Sequence, residues 1–148
     1  MYKLTKEEAI KRFDVIYDSI EKAYAGYARA HGLNTLSFTA LRDIYESDKT
    51  LSQKELSQKH ETPKQIINNI VKGFLADGIV TLQESSDRRF KKIALTAKGK
   101  EFAQSIFEPL AHAENHLWDN ASADEVIAVV KLTEMYADGI NALTVSKK

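Results

Sequence analysis

The sequence predicts a mainly α-helical chain broken by one small β-hairpin. Three observations carry that prediction. Apolar residues recur at helical period through most of residues 5–143, while only residues 79–84 and 90–95 alternate with period two. A Ser or Thr followed three residues later by Glu or Gln marks four helix starts, at Thr5, Ser52, Thr62 and Ser122. Only about two residues separate the helices predicted at 52–59 and from 62 onward, and so short a joint forces a sharp angle between them.

The first helix is predicted over 5–31. Thr5 and Glu8 form its capping box, Ile10, Phe13, Tyr17, Ile20, Tyr24 and Tyr27 its apolar row with Ile16 beside them, and Gly32 its end. A second helix, 35–47, carries Leu36, Ala40, Leu41, Ile44 and Tyr45 and breaks at Ser47-Asp48. A short third helix runs from Ser52 to Lys59, with Leu51 and Leu56 needing a core. The fourth opens on Thr62 and Gln65 as a capping box, with Pro63 expected at the first helical position, where its missing N–H costs nothing. Its apolar residues fall in two rows, Ile66/Ile70/Phe74 and Ile67/Val71/Leu75, expected to form one buried stripe.

Gly78 closes that helix. Val80 and Leu82 then alternate with Thr81 and Gln83, and Ile93 and Leu95 with Lys92 and Ala94, about a polar turn at Ser85–Arg89. A helix-turn-helix followed by a hairpin is a winged helix. Two long helices complete the chain. One, 96–118, has the row Phe102, Ile106, Leu110, Ala113 and Leu117, and Pro109 inside it removes one ladder bond and predicts a kink near Ser105. The other, 122–143, carries Val126, Val129, Val130, Tyr136, Ile140 and Leu143, and Ser146-Lys147-Lys148 reads as a frayed tail. A winged helix of ~60 residues cannot cover three further apolar stripes, so these helices are expected to pack against a second copy. One domain over 1–148 follows, with a winged-helix lobe at 35–99 and a helical dimerisation lobe at 5–31 and 100–145.

The 148 residues include 21 Lys/Arg and 21 Asp/Glu, 43% hydrophobic residues and no cysteine. Disulfides and thiolate metal sites are thereby excluded. No apolar run reaches the ~18 residues of a membrane span and no secretory leader is evident, so a cytoplasmic location is expected. The zero net charge hides a segregation. Residues 1–48 hold 7 Lys/Arg against 8 Asp/Glu, residues 49–100 hold 11 against 5, and residues 101–148 hold 3 against 8. A single-signed patch in the middle third is the footprint of a phosphate-backbone binder.

That third contains the fourth helix, whose polar face carries Lys64, Gln65, Asn68, Asn69 and Lys72. Amides donate and accept along an adenine edge, and lysines neutralise phosphate. A solvated amphipathic helix is the competing reading of the same pattern.

Leu51-Ser52-Gln53-Lys54-Glu55-Leu56, Asp77-Gly78-Ile79-Val80, and Asp87-Arg88-Arg89 with Ile93-Ala94-Leu95-Thr96-Ala97-Lys98-Gly99 resemble the MarR (multiple antibiotic resistance regulator) family. The resemblance spans essentially the whole chain, and Asp-x-Arg followed by Leu-Thr-x-x-Gly is its most specific part. It implies a homodimer, joined through the terminal helices, that binds double-stranded DNA. One helix of each subunit would enter the major groove and Arg89, oriented by Asp87, the minor groove, while Arg88 and Lys91 meet phosphate. The expected DNA-contacting set is Ser52, Gln53, Thr62, Pro63, Lys64, Gln65, Asn68, Asn69, Lys72, Asp87, Arg88, Arg89 and Lys91. The chain departs from the family at Leu82 and Asp77, where basic residues are frequent, and Lys91 and Lys92 are expected to compensate.

The resemblance also implies release by a small aromatic or phenolic effector, for which Tyr24, Tyr27, His31, Phe38, Arg42 and Tyr45 are the candidates. Phe38, Arg42 and Tyr45 share a face at i, i+4, i+7 and could hold an aromatic carboxylate. The competing reading makes the rings dimer core and Arg42 a surface ion-pair partner. Glu108, His112 and His116, at i, i+4, i+8, could begin a zinc site, but further ligands would have to come from elsewhere. No metal or cofactor is therefore assigned. With no phosphate loop, nucleophile elbow or thiol, an enzyme is not expected. The expectation is a ligand-responsive repressor on a pseudo-palindromic operator; a zinc-responsive version or a winged-helix adaptor without DNA binding is the alternative. Such a dimer sets its two groove-entering helices one DNA turn, ~34 Å, apart, and an effector that favours another spacing releases it.

Overall fold

The structure, a computed structural model, describes residues 3–145. The tail expected at Ser146-Lys147-Lys148 lies outside the described residues. The chain runs α1 (Lys6–Ala30), α2 (Thr35–Glu46), β1 (Leu51–Ser52), α3 (Gln53–Lys59), α4 (Lys64–Ala76), β2 (Val80–Gln83), β3 (Lys92–Leu95), α5 (Ala97–Asp119) and α6 (Ala123–Val145). It divides into two compact units, Met1–Ile106 and Phe107–Lys148. Among the described residues no helix is long and apolar enough to cross a membrane.

In the first unit, the capping boxes at Thr5/Glu8 and Ser52/Glu55 form as expected, and Asn34 with Ser37 adds one before α2. The Thr62/Gln65 box does not form. Pro63, not Thr62, occupies the N-cap of α4, with no side-chain cap, and the Thr62 hydroxyl donates to the His60 carbonyl at 2.9 Å. Pro63 thus stands one position earlier than expected. Its fixed φ, −53° here, suits the approach to the helix equally well.

The core gathers Phe38, Leu41 and Ile44 of α2, Leu56 of α3, Ile67, Val71 and Phe74 of α4, and Ile79, Val80, Ile93, Ala103 and Ile106 beyond. Three elements thus bury apolar stripes against a small sheet ordered β1-β3-β2, all antiparallel. Val80 pairs with Leu95 and Leu82 with Ile93, which keeps the alternating apolar side chains on one face. β1 pairs Leu51 with Ile93. Two residues are too few to show alternation, so the sequence did not signal that strand.

The hairpin base is fixed to its surroundings by a close contact. The Ile79 carbonyl accepts from the Thr96 N–H at 3.0 Å, while the Thr96 hydroxyl donates to the Gly78 carbonyl at 2.5 Å and caps α5 by accepting from the Gly99 N–H at 2.9 Å. A Cβ on Gly99 would lie 1.8 Å from that carbonyl oxygen. The Leu-Thr-x-x-Gly pattern therefore has a packing reason. The threonine joins hairpin to helix, and the glycine leaves room for the joint.

On α1, Ile10, Phe13, Ile16, Tyr17 and Ile20 are exposed in the single chain, and only Ala28 is buried. In α5, Ala103 and Ile106 are buried, whereas Ala113 and Leu117, expected in the same row, are exposed. Pro109 does not end the helix. In the second unit, Ser122 and Glu125 cap α6, and Val129, Val130, Tyr136, Ile140 and Leu143 are exposed on it.

Gly99→Ala should lower unfolding stability by about 3 kcal/mol through backbone overpacking. Gly73→Ala, in mid-helix where an added Cβ meets nothing within 4 Å, should raise it by about 1 kcal/mol. Denaturant midpoints at an unchanged slope would check the pair.

Candidate nucleic-acid interface

The joint between α3 and α4 is built from hydrogen bonds the sequence did not reveal. The Thr62 N–H bonds the Ser57 carbonyl and the Glu61 N–H the Gln58 carbonyl, a Schellman closure with Glu61 at φ 47°. The Asp43 carboxylate of α2 holds the end of α3 through Lys59 Nζ at 2.6 Å and His60 Nε2 at 2.7 Å. These partners lie 16 and 17 residues apart, so no local periodicity pointed to them.

The joint turns α4 so that Ile67, Val71 and Phe74 face inward and Gln65, Asn69 and Lys72 outward. Gln65 Nε2 donates to Asn69 Oδ1 at 3.2 Å, which pre-orders one amide against the other. Lys64 and Lys72 are exposed, and neither makes an ion pair among the described residues. Asn68 is half-buried on the flank rather than on the outward face.

The expected stripe is narrower than two full rows. Ile70 and Leu75 are half-buried and Ile66 is 45% exposed, because inward-facing Ile67, Val71 and Phe74 turn Ile66 about a quarter-turn out of the core. Ser52 is a second correction. It is 4% exposed, and its hydroxyl and N–H are both spent on Glu55, so it positions α3 and does not face solvent. Gln53 and Thr62 are half-buried, and Pro63 is exposed.

At the hairpin tip, Asp87 holds Arg89 three ways. Its carboxylate accepts from the Arg89 N–H at 3.1 Å, Nε at 3.1 Å and Nη2 at 3.0 Å. The guanidinium fork, with the backbone bond second, keeps the Asp87 carboxyl below its usual pKa. Arg89 itself remains 81% exposed. Its guanidinium carbon lies 5.6 Å from the Phe90 ring centre, and Lys54 Nζ of α3 lies 4.9 Å from the same ring. The Ser85 hydroxyl braces the turn, its one proton within reach of the Phe90 carbonyl at 2.5 Å and the Asp87 carbonyl at 2.7 Å. Arg88 is exposed, and Lys91 lies 3.7 Å from Glu84.

Glu55 couples the two halves of this surface. Besides capping α3, its carboxylate accepts from Lys92 Nζ of β3 at 2.9 Å and from Lys49 Nζ at 3.2 Å. The Ser52 N–H, then Lys92, hold its pKa down to about 2 from 4.5. Lys92 is thus a structural tie and not the spare phosphate contact expected of it. Beside Asp77, Lys98 Nζ donates to the Asp77 carbonyl at 2.7 Å, which sets a cation where the acidic residue stands.

Of the effector candidates, Tyr27, His31 and Phe38 come together. The Tyr27 ring stands edge-on to His31 at 4.8 Å and to Phe38 at 6.1 Å, and its hydroxyl donates to the Ile106 carbonyl at 2.7 Å. Phe38 is 2% exposed, while Tyr24, Arg42 and Tyr45 are half-buried and Arg42 Nε pairs with Glu46 at 2.9 Å. Glu108, His112 and His116 are exposed on α5, and no cluster of three metal-ligating residues forms among the described residues.

No protein-family model matches the chain. It is 30% identical over 108 residues to the HTH-type transcriptional regulator PapX of Escherichia coli, over 72% of this chain and 66% of that one. The chain thus spans just under two thirds of that relative. The MarR family regulator NMB1585 of Neisseria meningitidis superposes with a TM-score of 0.74 at 18% identity, over 95% of this chain and 99% of that chain. A mutant of Staphylococcus aureus MepR bound to an oligodeoxyribonucleotide superposes with a TM-score of 0.61 at 16% identity, over 92% and 99%. The chain is a winged helix-turn-helix protein with the fold of the MarR family regulators, as the resemblance in its sequence implied.

Two outcomes check the tip and the tie. Asp87→Ala should leave the melting temperature nearly unchanged, since exposed pairs stabilise little, yet free the Arg89 side chain, with its Nε order parameter falling below about 0.6. For Glu55, a folded pKa below the unfolded one means stability present above pH 4.5 and lost as pH falls toward 2. The stability gap between wild type and Glu55→Gln should therefore be full near neutral pH and close across that window in acid denaturation.

Proposed function

We propose that this chain is a non-enzymatic, sequence-specific transcriptional regulator that binds double-stranded DNA as a cytoplasmic homodimer. The observation that carries the reading is a set of exposed side chains on α4 and the hairpin tip. It combines the linked amides of Gln65 and Asn69, the lysines 64 and 72, and an arginine held out by Asp87. The amides suit a base edge in the major groove, and the cations suit phosphate. The first turn of α4 has no side-chain cap; the Ile66 and Ile67 N–H groups bond the Pro63 carbonyl, which leaves those of Lys64 and Gln65 for a phosphate oxygen. A structural relative at TM-score 0.61 is described bound to an oligodeoxyribonucleotide, which supports the same use of the fold.

Two-fold pairing is supported by the apolar residues that α1 and α6 each expose, which a lone chain would leave in water. A pseudo-palindromic operator follows from such symmetry. Repression, relieved by a small aromatic effector, is the mode of action we assign. It rests on the ring cluster of Tyr27, His31 and Phe38, which here serves as packing and which a bound ring could re-arrange. Lys64, Lys72, Arg88 and Arg89 would set affinity, and Gln65 and Asn69 sequence preference.

The test is fluorescence anisotropy on a duplex enriched from random DNA by the wild-type protein. Log affinity should fall steeply and linearly with log salt, and Lys72→Ala, which removes one phosphate contact from each half-site, should reduce that slope by about 2. Gln65→Ala should narrow the preference for the enriched duplex over a scrambled one about tenfold. Affinity independent of salt, or equal for both duplexes in the wild type, would overturn the reading.

A further inference from the structure

Every large apolar side chain exposed among the described residues lies on or beside α1, at the end of α5, or on α6, with one exception. The exception is Ile66, 45% exposed in the first turn and a half of α4. Its surroundings are polar. Gln65 precedes it, Asn69 lies three residues on and therefore beside it, and Lys64 and Lys72 complete the exposed surface. Two turns further along the same flank Gly73 is exposed, and nothing lies within 4 Å of where its Cβ would be. Ile66 is thus a lone apolar side chain among polar ones on the exposed part of the helix.

An isolated isoleucine on such a surface is too small a patch for a protein partner, which would bury a contiguous apolar area. It matches one feature of the major groove. Among the four bases only thymine presents a methyl group there, and an apolar side chain recognises it by contact. We infer that Ile66 is a specificity-determining residue that reads a thymine C5-methyl group in each half-site, next to the base addressed by Gln65 and Asn69. The inference rests on the DNA-binding reading above and deepens it. The amides choose by hydrogen bonding, and the isoleucine by excluding water from a methyl group.

The experiment uses the wild-type protein and the enriched duplex, with each thymine in turn replaced by deoxyuridine at symmetry-related positions. That exchange removes the methyl group and leaves every hydrogen-bonding atom. One position should weaken binding about fourfold per half-site, the worth of one buried methyl. In Ile66→Ala, shown by its melting temperature to be folded, the same exchange should change affinity less than 1.5-fold (~0.2 kcal/mol). Salt-dependent binding with no thymine sensitive to demethylation overturns the inference and leaves the DNA-binding reading standing. So does a sensitive thymine whose penalty persists in Ile66→Ala. Failure to bind or enrich any duplex overturns both.

Discussion

The surface described above depends on one carbonyl oxygen. At the end of α4, Ile79 turns its carbonyl toward Thr96, which answers with its N–H, and Gly99 leaves the space in which the three meet. The Thr96 hydroxyl also donates to the Gly78 carbonyl and caps α5. Three elements, the end of α4, the base of the hairpin and the start of α5, are thereby fixed at one point. Gly78 at φ 70° makes the turn that brings Ile79 there, and its own N–H closes onto Leu75. Were this joint looser, α4 and the hairpin tip would keep their chemistry and lose their mutual orientation, which recognition requires.

From that point outward the molecule uses charge sparingly. Glu55 gathers Lys92 and Lys49, and Asp43 gathers Lys59 beside a hydrogen bond to His60, so three lysines of the middle segment are spent on ion pairs around α3. Among those that remain, Lys64, Lys72, Arg88 and the poised Arg89 lie exposed on α4 and at the hairpin tip. The positive balance of residues 49–100 thus divides into a structural part and a part available to phosphate. Lys54 bridges the two, since its stack on Phe90 ties α3 to the hairpin while its charge stays at the surface.

Much of the fold was legible because it is written in short-range chemistry. The capping boxes at Thr5, Ser52 and Ser122, the αL glycines after α1 and α4, and the period-two hairpin each involve neighbours in sequence. The box at Thr62 failed for an equally local reason. Pro63 already fixes the backbone entering α4, and the Thr62 hydroxyl finds the His60 carbonyl closer at hand. Less was legible where side chains choose between neighbours far apart in sequence. Ile66 satisfied a helical row yet lies outside the core, and Ser52 looked like a surface hydroxyl yet is buried in its own cap. The strand at Leu51 and the Asp43–His60 pair needed the tertiary structure to appear at all. Asp87 and Arg89 were visible in sequence, and the structure supplies the three-point geometry that gives the pair its use.

The central claim is that the Gln65–Asn69 side of α4 and the Arg89 tip act together on duplex DNA, whereas the apolar faces of α1 and α6 serve pairing. Side-chain NMR of the protein titrated with the enriched duplex tests this most directly. The account expects the carboxamide signals of Gln65 and Asn69 and the Nε signal of Arg89 to shift together at one stoichiometry, with the methyl signals of Ile20 and Ile140 unmoved. Shifts confined to α1 and α6, with those three signals unchanged at saturation, would contradict it.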